Sequence, residues 1–243
     1  MKIAVALIIL SVLFGGSVAY YLRNRSDWWR MWRPKILAFG GAFLLGITVL
    51  HLMPEVFNQG GREELPLFIL LGFLIQIILE TFTGGVEHGH VHKNQQQSSF
   101  LWSKAVPVFI GLTLHALLEG MPISGMSHHD HSHPYIWGIF VHKFPAAFAL
   151  MAYLLGSGLK GLQAWLLLII FSLTTPLGIW IGHSAVNQTD IDFYYPIFVA
   201  IVVGSFLHIA TIVLFEFSNP EGHKFSYIRL ALILLGLLLA FLI

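Results

Sequence analysis

Apolar residues run through this chain in eight long blocks separated by shorter polar stretches. The blocks cover residues 3–22, 36–57, 65–83, 105–126, 135–155, 162–183, 195–217 and 227–243. A helix needs about 20 apolar residues to cross a bilayer, and these blocks are of that order. None shows the two-residue alternation of a barrel strand. The pattern predicts an all-α integral membrane protein with eight transmembrane helices and a single transmembrane domain over residues 1–243.

Composition agrees. Of the 243 residues, 56% are hydrophobic and only 10% are charged, which leaves too little polar surface for a soluble domain. Cys is absent, excluding a disulfide framework and a thiolate metal site. A net charge of +1 gives no footing for a nucleic-acid partner. The first block differs from a cleaved signal peptide, because Lys2 alone precedes it and no clear small-residue cleavage site follows. It reads as a retained helix.

Charge distribution orients the helices. With the N-terminus outside, cytoplasmic segments carry Arg23, Arg25, Arg30, Arg33, Lys35, Lys93, Lys104, Lys160, Lys224 and Arg229, against Lys2 and Arg62 outside. The positive-inside rule therefore predicts that both termini lie outside. Residues 85–104 then form a cytoplasmic loop, with His88, His90 and His92 beside a Gln/Ser run. The outer loop holds His128, His129, Asp130, His131 and His133. Each loop reads either as weak metal bait or as a solvated linker.

Ionisable groups at bilayer depth cost roughly 2.5–3.5 kcal/mol each on insertion scales and are functional candidates by default. His115 and Glu119 are four residues apart in the fourth block and share a helix face. His142 and Lys143 lie in the fifth. Two imidazoles and a carboxylate suit zinc and also accept iron or manganese. The bland alternative is a His–Glu hydrogen bond gluing helices together. Gly120 and Pro122 after the first pair, and Pro145 after the second, should loosen both helices where they line a cavity. His51 and Glu55 near the outer face, Glu80 near the cytoplasm and His208 inside the seventh block are further pathway candidates; helix-end solvation or helix–helix bonding explains each as readily. A faint repeat links Gly41-x-Phe43-Leu44-x3-Thr48 to Gly204-x-Phe206-Leu207-x3-Thr211, on helices of opposite direction. Inverted repeats are common in transporters.

The ordered set His51-Leu-Met-Pro-Glu55, His115-Ala-Leu-Leu-Glu119-Gly120, His142-Lys143-Phe-Pro145-Ala-Ala-Phe and Gly204-Ser-Phe-Leu, with the His-bearing loop after the third block, resembles the ZIP family of zinc/iron permeases. The resemblance covers essentially the whole chain. It implies a 3+2+3 arrangement: three helices (1–84), the inner loop (85–104), two site-bearing helices (105–160) and three more (161–243). The first and last three are inverted repeats. It implies transport of divalent metal into the cytoplasm without ATP hydrolysis, by an elevator-type movement of the site-bearing helices. Zinc is the expected cargo, with iron, manganese or cadmium as others, and no resident cofactor. The bilayer and a second copy of the chain are the other candidate partners. The expected location is the plasma membrane, as in a bacterial inner membrane.

The chain also departs from that family's pattern. Where many members build a second metal position from Asn and two acids, this chain has Ala116, Lys143 and Thr175; where many have a further His or Glu, it has Ala146. An ammonium beside Glu119 can replace a second cation. The expected site is therefore mononuclear, built by His115, Glu119 and His142, with Lys143 as the second-site replacement. The main alternative is a metal sensor or degenerate relative that no longer transports. An intramembrane hydrolase fits less well: His-Glu-x-x-His is absent, and Pro122-Ile-Ser124-Gly125 lacks the first Gly of a rhomboid serine motif. A haem electron carrier ligated by His115 and His142 sits poorly with Glu119 one turn away. No enzyme activity is expected.

Overall fold

The computed structural model describes residues 2–23, 26–58, 62–83, 101–124, 132–185, 191–216 and 227–243. Among these the fold is all-α. Helix α1 spans Lys2–Leu22 and α2 spans Ser26–Ile47, which runs through a π turn, Thr48–Leu52, into α3, Met53–Phe57. There follow α4 (Leu65–Thr83), α5 (Leu101–Gly120) with a 3-10 turn at Met121–Ser124, α6 (Ser132–Gly156), α7 (Gly161–Ala185), α8 (Ile191–Glu216) and α9 (Tyr227–Leu242). The α2–α3 unit is one continuous span, so the eight apolar blocks become eight helical segments. Seven are long and apolar enough to cross a membrane. The eighth, α9, has 16 residues, roughly 24 Å at 1.5 Å per residue. The chain is a multi-pass integral membrane protein, and large apolar side chains such as Leu70, Trp180 and Phe241 cover its perimeter, as a hydrocarbon solvent requires.

Several boundaries differ from the sequence expectation. Helix α2 starts ten residues before the apolar block, because charge interrupts hydropathy without interrupting helix formation. Helix α5 starts at Leu101, inside the stretch expected to be loop. Gly120 and Pro122 do end α5, and the chain tightens into the 3-10 turn there. Pro145, expected to loosen its helix, lies inside an uninterrupted α6. Proline removes one hydrogen bond, and packing by neighbouring helices holds the rest of a buried helix in place. The irregularity falls instead in the π turn before Pro54, a breaker to which such bulges are suited.

The most extensive helix pairings are α4 with α8, α2 with α9, α1 with α6 and α5 with α7. Close approach marks them. A Cβ on Gly15 would run into the Phe144 carbonyl, and one on Gly178 into that of Leu117. A Cβ on Gly72 would meet the Ile201 carbonyl, and one on Gly236 that of Phe39. Exchanging α1 with α7, α2 with α8, α4 with α9 and α5 with α6 maps this set of pairings onto itself. The residues of the sequence repeat behave alike: Thr48 Oγ1 donates to the Leu44 carbonyl at 2.7 Å, and Thr211 Oγ1 to that of Leu207 at 2.7 Å. Phe43 and Phe206 are both buried.

The buried apolar residues form two clusters. One, containing Val12, Leu112, Ala116, Ala147, Leu150, Leu168 and Phe171, binds α1, α5, α6 and α7. The other, containing Leu44, Ile47, Val199, Val203, Phe206 and Ala240, is centred on α2 and α8, reaches α9, and takes in Ile8 of α1, Tyr135 and Ile139 of α6 and Ile179 of α7 where the two layers pack together. The ionisable residues of α5 and α6 lie where these layers meet.

Candidate metal centre

His115 and Glu119 stand one turn apart on α5, and α6 brings His142 to them across the helix gap. One ligand atom from each residue lies within 4.8 Å of the others, the only such group among the described residues. All three side chains are buried. The imidazole rings meet edge to face, 5.7 Å between centroids. His115 Nε2 and Glu119 Oε2 are 3.4 Å apart. Two ligands about 2.1 Å from a tetrahedral zinc ion stand roughly 3.4 Å apart, so this pair already has the spacing, and His142, within 4.8 Å of both, needs only a small closing movement.

His115 Nε2, Glu119 Oε2 and His142 Nε2 are buried without a hydrogen-bond partner. Leaving buried polar atoms unpaired costs about 1–3 kcal/mol apiece, and three in one place make a site fit for a cation. The donor set, two neutral nitrogens and a carboxylate oxygen, is one that zinc accepts.

The other carboxylate oxygen, Oε1, is fully engaged. Lys143 Nζ forms an ion pair with it, and Thr175 Oγ1 lies 3.2 Å from it and 3.2 Å from the Ala116 carbonyl oxygen. The Lys143 ammonium also stands 4.8 Å from the Phe171 ring centroid, a cation–π contact that offsets part of its desolvation. Close packing sets this side of the site. A Cβ on Gly120 would collide with the Thr175 carbonyl, so α5 and α7 approach until Thr175 reaches Glu119.

The second layer closes the site. Phe206 packs against both imidazoles, 6.5 Å from His115 and 6.0 Å from His142 between centroids. Tyr135 stacks on Phe206 and donates its hydroxyl to the Glu119 carbonyl at 2.5 Å, satisfying a backbone acceptor that the end of α5 leaves orphaned. His115 Nδ1 lies 3.2 Å from Ser205 Oγ, whose hydrogen goes to Gln76 Oε1 at 2.9 Å.

The remaining candidates stand apart from this cluster. His51 Nε2 donates to the Ala240 carbonyl at 2.8 Å, and Glu55 accepts from the Tyr195 hydroxyl at 2.6 Å. His208 Nε2 and Glu80 Oε2 pair at 2.6 Å across α8 and α4. His88, His90, His92, His128, His129, Asp130 and His131 lie outside the described residues, and His133 falls in the first turn of α6 with its side chain outside them. Sequence reading missed Gln76, Tyr135 and the role of Ser205. A single amide in the middle of an apolar span was the available signal for Gln76.

The fold is that of a polytopic membrane protein, and its buried His115–Glu119–His142 cluster is a group able to hold a metal ion. Residues 87–243 match the family model described as ZIP Zinc transporter, and the chain belongs to that family. It is similar to Protein zntD of Dictyostelium discoideum, 30% identical over 161 residues that cover 63% of this chain and 24% of that protein. It is also similar to Zinc transporter ZIP9 of Micropogonias undulatus, 22% identical over 188 residues, covering 70% of this chain and 59% of that protein. Zinc transporter ZIP1 of Danio rerio is 24% identical over 227 residues, covering 73% and 74%. The chain thus spans about a quarter of zntD and three fifths of ZIP9.

Proposed function

We propose that this chain carries zinc into the cytoplasm through a single-ion site formed by His115, Glu119 and His142, with Lys143 standing where a second ion would otherwise sit. The observation that carries the reading is the convergence of three buried, unpaired ligand atoms from α5 and α6. They can replace part of an ion's hydration shell, and a thiolate-free set of three holds it loosely enough to let it go. The mononuclear reading is supported by the division of Glu119. Its Oε2 faces the His115 imidazole, while Lys143 and Thr175 take Oε1. Two of the chain's departures from the family pattern touch that one oxygen, and a third, Ala116, supplies the carbonyl that shares the Thr175 hydroxyl.

The symmetric helix pairings support a 3+2+3 plan with inverted repeats. The apolar cluster that joins α1, α5, α6 and α7 to one another supports movement of these four helices as a body. The ten-to-two distribution of Lys and Arg supports outer termini and inward delivery. The outer loop, His128–His133, collects metal, and His51 and Glu55 line the way in once their present bonds open. His208, Glu80 and the inner loop with His88, His90 and His92 receive the ion. The plasma membrane, as in a bacterial inner membrane, is the location this implies, zinc is preferred to iron, manganese or cadmium, and the working unit is a homodimer.

Zinc uptake by proteoliposomes loaded with an indicator tests the reading. Wild type should fill the vesicles, and His115→Ala and Glu119→Ala should not. No uptake by wild type, or undiminished uptake by both variants, refutes it.

A further inference from the structure

Behind His115, on the side away from Glu119, two polar side chains of the other layer are buried without being placed to touch an ion. Ser205 of α8 and Gln76 of α4 are 7% and 1% exposed. Their helices are pressed together at Gly204, where a Cβ would collide with the Ile69 carbonyl of α4. That contact lets Ser205 reach Gln76.

A serine hydroxyl has one hydrogen, and an amide carbonyl can only accept. Ser205 Oγ donates to Gln76 Oε1 at 2.9 Å, so its hydrogen is spent there. The 3.2 Å contact between Ser205 Oγ and His115 Nδ1 then requires the hydrogen to be on Nδ1. A neutral imidazole carries one N–H, so Nε2 is left as a bare lone pair. Nε2 is the atom that faces Glu119 Oε2 at 3.4 Å and has no hydrogen-bond partner. We infer that Gln76 and Ser205 are positioning residues for the transported ion: in sequence, they hold the His115 hydrogen on Nδ1 and keep the Nε2 lone pair turned into the site. The inference rests on the three-ligand reading above. Second-layer bonds of this kind fix ligand tautomers in metal sites generally.

The order of donors gives a signature that a merely structural role would not. Ser205→Ala removes the acceptor at Nδ1, lets the two tautomers mix, and should weaken zinc binding roughly 10-fold. Gln76→Leu is worse. It frees the serine hydrogen to be donated to Nδ1, which drives the ring hydrogen onto Nε2 and blocks the ligand, a loss of roughly 100-fold. The double variant Gln76→Leu/Ser205→Ala should recover to the level of Ser205→Ala. Ser205→Thr, which keeps the hydroxyl, should stay close to wild type.

Two measurements on purified full-length protein in nanodiscs decide it: zinc titration of these variants, and 15N NMR of histidine-labelled, chelator-treated protein with the His115 signal assigned by its loss in His115→Gln. The expected spectra place the hydrogen on Nδ1 in wild type and on Nε2 in Gln76→Leu. A wild-type hydrogen on Nε2, a Gln76→Leu spectrum like wild type, or a double variant no better than Gln76→Leu overturns the inference. Wild type that binds no zinc but shows the expected switch overturns the functional reading and leaves the hydrogen-bond order supported.

Discussion

Replacing Lys143 by Met should tighten zinc binding while slowing transport. The ammonium pairs with Glu119 Oε1, and an ion on Oε2 would sit across the same carboxylate, about 5 Å from Nζ with a Zn–O bond of about 2.1 Å. At that separation a divalent ion and a single positive charge repel by about 7 kcal/mol for an effective dielectric of about 20. The whole of that is not recovered, because the cation that neutralises Glu119 once its ammonium is gone must leave when zinc binds. A 100-fold gain in affinity, about 3 kcal/mol, is the expected outcome. Met retains the apolar stem of Lys143, which is 1% exposed, so packing changes little. Isothermal titration on detergent-purified protein measures the affinity, and uptake into proteoliposomes should show KM and kcat falling together as release becomes limiting. Unchanged or weaker binding by a monodisperse Lys143→Met protein would refute the idea that the lysine acts as a resident cation.

Lys143→Asp goes further. It supplies a new carboxylate beside Glu119 Oε1, and metal analysis should rise from one zinc per chain to two; two already in wild type would contradict the single-ion site. Thr175→Val removes one of the two groups on Oε1; a net hydrogen bond is worth about 1 kcal/mol, so KM for zinc should shift by less than 10-fold with kcat retained. Gly178→Leu drives a side chain into the Leu117 carbonyl of α5. It should lower the yield of monodisperse protein in size-exclusion chromatography, whereas Gly161→Ala, facing only the Tyr20 ring at 3.1 Å, should not.

How much of this was legible in the chain follows from which interactions are local. All eight apolar blocks became helices, because in hydrocarbon a helix alone satisfies its own backbone. His115 and Glu119 could be placed on one face from their spacing, and His142 could be nominated because a buried imidazole is costly to leave unused. Chain ends of helices were less legible. Residues 26–35 carry charge yet form the first turns of α2, since hydropathy reports solvent preference and not backbone conformation. Pro145 and Pro54 look alike in sequence, but only the second has a π turn before it. The Gln76–Ser205–His115 chain joins residues 39, 90 and 129 positions apart. Spacing carries no trace of such a link; it depends on how closely α4 and α8 approach at Gly204.

That link also connects the two layers. His115, Glu119, His142, Lys143 and Thr175 all belong to α5, α6 and α7, whereas Gln76, Ser205 and Phe206 belong to α4 and α8. The proposed ligands and their charge partners can therefore travel as one body, with Glu119 and Lys143 never separating in the low-dielectric interior, where breaking a buried pair costs about 3–5 kcal/mol. The contact between His115 Nδ1 and Ser205 is different, because it crosses the boundary. If the ligand-bearing helices slide past α4 and α8, this neutral hydrogen bond parts while the charged one stays intact. A neutral bond contributes about 0.5–1.5 kcal/mol net, small enough to be exchanged for water at each cycle. The division of labour around the site thus matches the motion proposed for it: strong interactions lie within the moving body, and a weak, direction-setting one lies at its edge.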